Sequence, residues 1–264
     1  MARAIVMTSG KGGVGKTTVT ANLGMHLSKK NFRVCLLDMD IGLNNLDVVM
    51  NMEDRVVYSI TDVIDGRCRL REALVQDDTY PLLYLLSCGS LGQNLTITIS
   101  QIKEVVNELH SIFDFILIDC PAGIDAGFKR AVSIADEALV VTTPHLSSIK
   151  DADKVVSILS SFNINSKRFV INRARGDLIL NGEMLSLKSI KEFLRLELIG
   201  VVPEDDEIAF QAYSGGFLNC TSSVGVAIDL IAKNIATGSK NIYDCTKKYK
   251  GILGKIRKHL RKRV

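Results

Sequence analysis

The chain has 264 residues, of which 47% are hydrophobic and 23% are charged. This is enough for one full-sized α/β domain with a sizeable core, and the sequence contains no apolar run long enough to span a bilayer and no signal peptide. The six cysteines lack the spacing of a zinc site or a disulfide framework, so Cys35 and Cys120 are expected to be small buried thiols.

The formal net charge of +4 conceals a strong asymmetry. Residues 247–264 hold nine of the 33 Lys and Arg residues and none of the 29 Asp and Glu residues. The rest of the chain, with 24 basic and 29 acidic residues, therefore has a net charge of −5. An acidic body with a basic C-terminal segment points to an anionic partner for that segment.

Residues 10–18, Gly-Lys-Gly-Gly-Val-Gly-Lys-Thr-Thr, fit the phosphate-binding loop pattern. The apolar residues 4–7 before it predict a buried strand, and Val19, Leu23 and Leu27 after it have helical spacing. Glycines let the backbone turn its N–H groups toward phosphate oxygens, and the helix N-terminus adds partial positive charge. A glycine-rich turn without a ligand is the simpler alternative, but strand, loop and helix together favour nucleotide binding.

The pattern also predicts individual roles within the loop. We expect Lys16 to reach the β- and γ-phosphates and the Thr17 hydroxyl to bind Mg²⁺. The predicted nucleotide-binding residues of the loop are Gly12, Gly13, Val14, Gly15, Lys16, Thr17 and Thr18.

A second lysine, Lys11, lies inside the loop and on its own would be taken as a solvated surface charge. The run from Lys11 to Thr18 resembles the deviant Walker A loop of the MinD/ParA family of ATPases. The resemblance implies that Lys11 reaches across a dimer interface to the nucleotide of the partner, and that the chain binds ATP and Mg²⁺ as cofactors.

The second buried strand is predicted over residues 32–40 and ends in two acids, Asp38 and Asp40. Ligands of open α/β sheets gather at the carboxyl ends of strands, so these acids are expected near the phosphates and the metal, Asp38 as a metal ligand. Capping or solvation of a loop is the alternative for both. The family resemblance implies that Asp40 positions the attacking water, and Asn44 stands where the family usually has arginine.

Residues 52–109 carry weaker signals. Residues 52–80 read as mixed short helices, residues 82–86 as a strand and residues 87–96 as a loop. Ile102, Val105, Val106 and Leu109 have helical spacing.

Residues 113–119 are an apolar strand that ends in Asp119, as in a Walker B strand. Together with the upstream loop, this pattern predicts that Asp119 holds Mg²⁺, directly or through a water. The following Pro-Ala-Gly at residues 121–123 resembles switch II of the family.

Three further strands are predicted, near residues 137–143, 168–172 and 198–203. The resemblance implies that Asn172 reads the adenine edge and that Pro203 lies beside the base. His145 stands where an acid is common in the family, and we expect a surface or capping residue. No Asn-Lys-x-Asp guanine motif occurs, which favours ATP over GTP.

Alternating strands and helices predict an α/β fold, a mostly parallel sheet with helices on both faces, as in P-loop NTPases.

We divide the chain into an ATPase domain, residues 1–245, and a basic tail, residues 246–264. On a helix of about 100° per residue, the apolar residues of 247–264 fall within about 120°, opposite most of the basic ones. This pattern predicts an amphipathic helix lying in an anionic membrane interface through Ile252, Leu253, Ile256 and Leu260, and Tyr249 belongs to the same stripe. A disordered solvated tail and a nucleic-acid-binding tail are the alternatives.

The resemblance implies a function as well. A slow, partner-stimulated ATPase would dimerise with ATP and attach peripherally to the cytoplasmic face of the inner membrane. It would position the division septum by recruiting a MinC-like inhibitor, with a MinE-like or other topological factor, and nucleic acid is not an expected partner. The alternatives are a ParA-like DNA-segregation ATPase and a flagellar-number regulator of the same superfamily.

Overall fold

The structure, a computed structural model, describes residues 2–40, 45–89, 97–208, 210, 215–251 and 254. Within them one sheet has the strand order β3-β4-β2-β5-β1-β6-β7-β8. Its strands are β1 (Arg3–Thr8), β2 (Val34–Asp38), β3 (Val75–Gln76), β4 (Leu83–Leu86), β5 (Phe115–Asp119), β6 (Glu137–Thr142), β7 (Ser166–Ala174) and β8 (Glu197–Pro203). All neighbouring pairs are parallel except β3 and β4, so the predicted mostly parallel sheet is confirmed.

Helices cover both faces of the sheet. They are α1 (Lys16–Ser28), α2 (Leu46–Met50), α3 (Ile60–Ile64), α4 (Leu70–Ala73), α5 (Ile99–Ile112), α6 (Ala126–Ser133), α7 (Leu146–Leu159), α8 (Gly176–Asn181), α9 (Leu187–Leu194) and α10 (Ser223–Thr237). Successive β1 side chains alternate between two cores: Ala4 and Val6 join the core under α5, α6 and α7, whereas Ile5 and Met7 join the core under α1 and α10. None of the described helices is long and apolar enough to cross a bilayer.

The strand predicted from residues 82–86 is present, but the reading of residues 52–80 as short helices missed β3. Val75 and Gln76 pair antiparallel with Leu85 and Tyr84. A two-residue strand is too short to show an alternating pattern, so only its neighbour in space reveals it. The expectation for the cysteines is confirmed, since Cys35 and Cys120 are fully buried and burial raises the pKa of the Cys120 thiol to about 12.

The helix that follows the glycine loop, α1, packs against α10 through a buried histidine. His26 is 2% exposed, and its Nδ1 lies 3.2 Å from Asp229 Oδ1, which also accepts a hydrogen bond from Lys30. Nε2 is buried without a partner among the described residues. Burial lowers the pKa of His26 below its usual 6.5, so folding disfavours the charged form of the ring.

We expect this histidine to make stability depend on acid. Below pH 6.5 His26 binds a proton more readily in the unfolded chain than in the folded chain. The free energy of unfolding therefore falls as pH falls, by up to about 1.4 kcal/mol per pH unit. Denaturant unfolding at about pH 7.5 and about pH 5.5 measures this loss in the native chain and in His26→Gln. Comparing the two cancels the titrating groups that do not contact His26 and leaves the effect of His26 with its partner Asp229. An equal loss in both would contradict the assignment.

The tail does not begin as the continuous helix predicted from residue 247. Lys247–Tyr249 form a 3-10 turn, Lys250 is extended and Gly251 has the left-handed φ of 75°. Tyr249 is 5% exposed because this turn packs against α8, and the backbone of Cys245 lies against Gly176 in the same place. Tyr249 therefore belongs to the core of the body and was wrongly assigned to the apolar stripe. The predicted membrane residues Ile252, Leu253, Ile256 and Leu260 lie outside the described residues.

Candidate functional site

Sheet topology brings the predicted residues to one edge. The carboxyl ends of β2, β5 and β1 lie side by side, with Asp119 in register with Asp38 on one side and Met7 on the other. The glycine loop runs from the end of β1 into α1. The two strand-ending acids and the phosphate-loop sequence therefore share one end of the sheet.

Three side chains at this edge form hydrogen bonds to the carboxylate of Asp119. Its Oδ1 accepts a hydrogen bond from Lys16 Nζ at 2.7 Å, and its Oδ2 accepts one from Thr17 Oγ1 at 2.7 Å. The Thr20 hydroxyl lies 3.0 Å from Oδ1 and 2.9 Å from the carbonyl of Lys16. Asp119 is 1% exposed, so these donors replace water around a buried charge. We call these four residues the Asp119 cluster.

Sequence reasoning found three members of the Asp119 cluster and missed Thr20. A signal was available, because Thr20 follows Lys16 by four residues and lies on the same face of α1. Threonine is so common in helices that its spacing alone carried no weight beside the loop pattern.

Asp38 is buried beside Asp119, as expected, and its carboxylate accepts hydrogen bonds from the backbone N–H groups of Asp40 and Leu46 at 2.9 and 3.1 Å. Burial, with the charge of Asp119, raises the pKa of Asp38 to about 7. Burial also raises the pKa of Asp40. Asp40 is thus held at the same edge, and Asn44 lies outside the described residues.

The loop has the backbone geometry that its glycines allow. Gly13 and Gly15 have φ of 75° and 86°, values that side chains with a Cβ rarely adopt. Gly15 occupies the N-cap position of α1 without a side-chain cap, which leaves the first N–H groups of the helix for an anion.

The donor set fits Mg²⁺ and phosphate. The Thr17 hydroxyl and the carboxylates of Asp119 and Asp38 are hard oxygen ligands, and Mg²⁺ is typically held by one or two carboxylates together with substrate phosphates. No group of three or more His, Cys, Asp or Glu residues suited to a metal occurs in the described part of the chain. Thr17, Asp38 and Asp119 would supply part of a Mg²⁺ site, and nucleotide phosphates would supply further oxygens.

Lys11 does not join the Asp119 cluster. It is exposed, and only its backbone carbonyl has a hydrogen bond, from Ser9 Oγ, among the described residues. Gly12 is also exposed, whereas the Thr18 carbonyl accepts from Asn22. The side chain of Lys11 is thus free of partners in the described part of this single chain.

The start of the loop also contacts the segment that resembles switch II and helix α7. The Gly123 N–H, in the segment that resembles switch II, donates to the Ser9 carbonyl at 3.3 Å. A Cβ on Gly10 would lie 2.3 Å from the backbone of Asp151 in α7. His145 lies exposed at the N-cap position of α7, as predicted, with Nδ1 3.1 Å from Thr143 Oγ1.

The two residues expected near the base lie toward the carboxyl ends of β7 and β8. Pro203 ends β8 and is in register with Ala174. Asn172, on β7, is 3% exposed and donates through Nδ2 to the carbonyl of Val14 at 2.8 Å. This direct contact between Asn172 and the glycine loop was not predicted from the sequence.

The mostly parallel sheet, the strand–glycine loop–helix unit and the Asp119 cluster define a P-loop nucleotide-binding protein. Comparison with known proteins agrees, since residues 5–216 match the CobQ/CobB/MinD/ParA nucleotide binding domain. The chain is 43% identical over 261 residues to the septum site-determining protein MinD of Bacillus subtilis, an alignment that covers 97% of each. The chain therefore belongs to the MinD branch of this family.

Solved structures show the same relationship. MinD in the MinC:MinD cell division protein complex of Aquifex aeolicus superposes with a TM-score of 0.83 at 40% identity, over 90% of this chain and 97% of that one. The septum site-determining protein MinD of Pyrococcus horikoshii, complexed with Mg-ADP, gives a TM-score of 0.79 at 29% identity, over 90% and 97%. The family resemblance read from the loop is thus confirmed.

Proposed function

We propose that this protein is a Mg²⁺-dependent ATPase that positions the division septum in the manner of MinD proteins. The observation that carries the proposal is the convergence of Lys16, Thr17 and Thr20 on Asp119 at the carboxyl edge of the sheet. The full-length similarity to septum site-determining relatives supports it and does not favour a ParA-like DNA-segregation ATPase or a flagellar-number regulator.

Each residue of the site has a role in this proposal. The loop N–H groups of residues 12–18 bind phosphate oxygens, and Lys16 offsets the charge of the β- and γ-phosphates. Thr17, Asp38 and Asp119 hold Mg²⁺, which when bound neutralises charge on the phosphates. Asp40 positions the water that attacks, and Asn172 and Pro203 contact the adenine.

The proposed partners follow from the relatives and from the tail. A second copy of this chain binds face to face with ATP, and Lys11 crosses to the nucleotide of the partner. The complex of MinC with MinD from Aquifex aeolicus supports a MinC-like inhibitor as a further partner. A MinE-like or other topological factor accelerates turnover, and the basic tail attaches the protein to anionic lipids on the cytoplasmic face of the inner membrane.

Release of inorganic phosphate from ATP by the purified chain tests the ATPase proposal. We expect slow turnover that yields ADP, and complete loss when EDTA removes Mg²⁺. GTP in place of ATP serves as the base control. A purified chain that neither binds ATP nor releases phosphate from it in the presence of Mg²⁺ would overturn the proposal.

Lys11→Ala is expected to abolish ATP-dependent dimerisation without removing ATP binding. Its side chain is exposed and makes no hydrogen bond or ion pair in the described part of the chain, so we expect its loss to leave the fold intact while removing a charge from the proposed interface. Light scattering after size exclusion, with ATP and with ADP, gives the mass of each form.

The matched control for Lys11→Ala is Lys188→Ala. This lysine is 86% exposed on α9, where it lies 3.9 Å from Glu192 of the same helix, and we expect that variant to dimerise normally. A Lys11→Ala protein that still forms dimers with ATP would contradict the role of Lys11.

A further inference from the structure

The amide of Asn172 is engaged by the protein at both ends. Its Nδ2 donates to the carbonyl of Val14 at 2.8 Å, and its Oδ1 accepts from the N–H of Arg173 at 2.9 Å. The side chain is 3% exposed, so these bonds are made away from water, where an unsatisfied carbonyl is costly.

Two unusual backbone conformations surround this contact. A Cβ on Gly15 would lie 2.3 Å from Asn172 Nδ2, so only glycine lets the amide approach the loop. Arg173 has a φ of 55°, which costs a non-glycine residue of order 1 kcal/mol, and its N–H is the one held by Asn172. The backbone is thus strained near the end of β7, where the register with β8 shifts and the amide reaches the loop.

The bond to Val14 fixes the orientation of one peptide group of the loop. The peptide between Val14 and Gly15 is planar and trans, so its C=O and N–H point in opposite directions. Holding the carbonyl against Asn172 therefore turns the Gly15 N–H away from Asn172. That N–H belongs to the set of loop donors expected to bind phosphate.

We propose that Asn172 is a positioning residue for the phosphate-binding loop, acting through the Val14 carbonyl independently of any contact with the base. Phosphate affinity then depends on a side chain from the end of β7 as well as on the loop itself. The inference rests on the proposed nucleotide function, because it assigns a role to a residue of the same site.

The test separates the phosphate end of the ligand from the base. Binding of Mg-tripolyphosphate, which has no base, and of Mg-ATP is measured by displacement of a fluorescent ATP analogue from the full chain. Asn172→Leu keeps the approximate shape of the side chain and removes its hydrogen bonds, and Asn172→Ala is the second variant should the leucine protein not fold.

The matched control for the Asn172→Leu variant is Asn234→Leu. Asn234 is another buried asparagine, in α10, whose amide binds the carbonyls of Ile199 and Asn241 and makes no contact with the loop. It reports the effect of losing a buried amide elsewhere in the fold.

We expect Asn172→Leu to weaken tripolyphosphate binding by about tenfold, the effect of losing one well-oriented hydrogen bond from the Gly15 N–H to a phosphate, and to weaken ATP binding at least as much. Unchanged tripolyphosphate affinity with weaker ATP binding would restrict Asn172 to the base and overturn the inference, as would an equal loss in Asn234→Leu. If the wild-type chain bound neither ATP nor tripolyphosphate, the proposed function itself would fail.

Discussion

Asp119→Asn is expected to reduce ATP hydrolysis by at least about 100-fold and to lower the free energy of unfolding by about 3 kcal/mol. The Lys16 ammonium is buried, and Asp119 is its carboxylate partner at 2.7 Å. Removing one member of a buried ion pair leaves the other charge uncompensated, which costs more than the pair contributes. The same substitution removes a carboxylate proposed to hold Mg²⁺.

Phosphate release and denaturant unfolding measure the two effects of Asp119→Asn separately. The matched control is Asp114→Asn, just before β5 at the opposite end of the strand. Asp114 is exposed, and its carboxylate accepts from the Arg33 N–H at 2.7 Å, a bond that an asparagine oxygen can also accept. We expect the control to match the native chain, and an Asp119→Asn protein of native stability would contradict the buried pair.

Ending the chain after Gly251 is expected to weaken binding to anionic vesicles at least about 100-fold. The removed segment carries six Lys and Arg residues, besides Ile252, Leu253, Ile256 and Leu260. Each basic residue near an anionic surface contributes about 1 kcal/mol, so three that approach it already supply about 3 kcal/mol, more than 100-fold.

The position of this truncation matters because Tyr249 is buried against α8. A chain that ends before Cys245 would lose part of the core and confuse unfolding with loss of the tail. Truncation after Gly251 keeps the 3-10 turn, and unchanged ATP binding by the shortened chain is the control. Full vesicle binding by the shortened chain would place the lipid contact elsewhere.

Features encoded in short, local patterns were predicted well. The loop of residues 10–18, the apolar strands that end in Asp38 and Asp119, and the resulting parallel sheet follow from spacing and from the shared edge of a parallel sheet. Their residues are neighbours in sequence or at strand ends, so pattern and topology together bring them close.

The rest depends on contacts between segments distant in the chain. Asn172 and Val14 are 158 residues apart, and no local sequence pattern in either segment predicts the hydrogen bond between them. Tyr249 fits the apolar stripe of a tail helix, but burial against α8 outweighs that periodicity. Thr20 joins the Asp119 cluster only because α1 lies over the end of β5.

Sedimentation of the full chain with anionic liposomes, in ATP and in ADP, tests most directly the proposal that the ATP-bound dimer attaches to the membrane through its tails. One tail is expected to bind weakly, whereas two tails on an ATP dimer gain effective concentration. We predict that the protein pellets with ATP and largely stays in solution with ADP. Equal pelleting in both nucleotides, or binding to duplex DNA with none to lipid, would contradict the account.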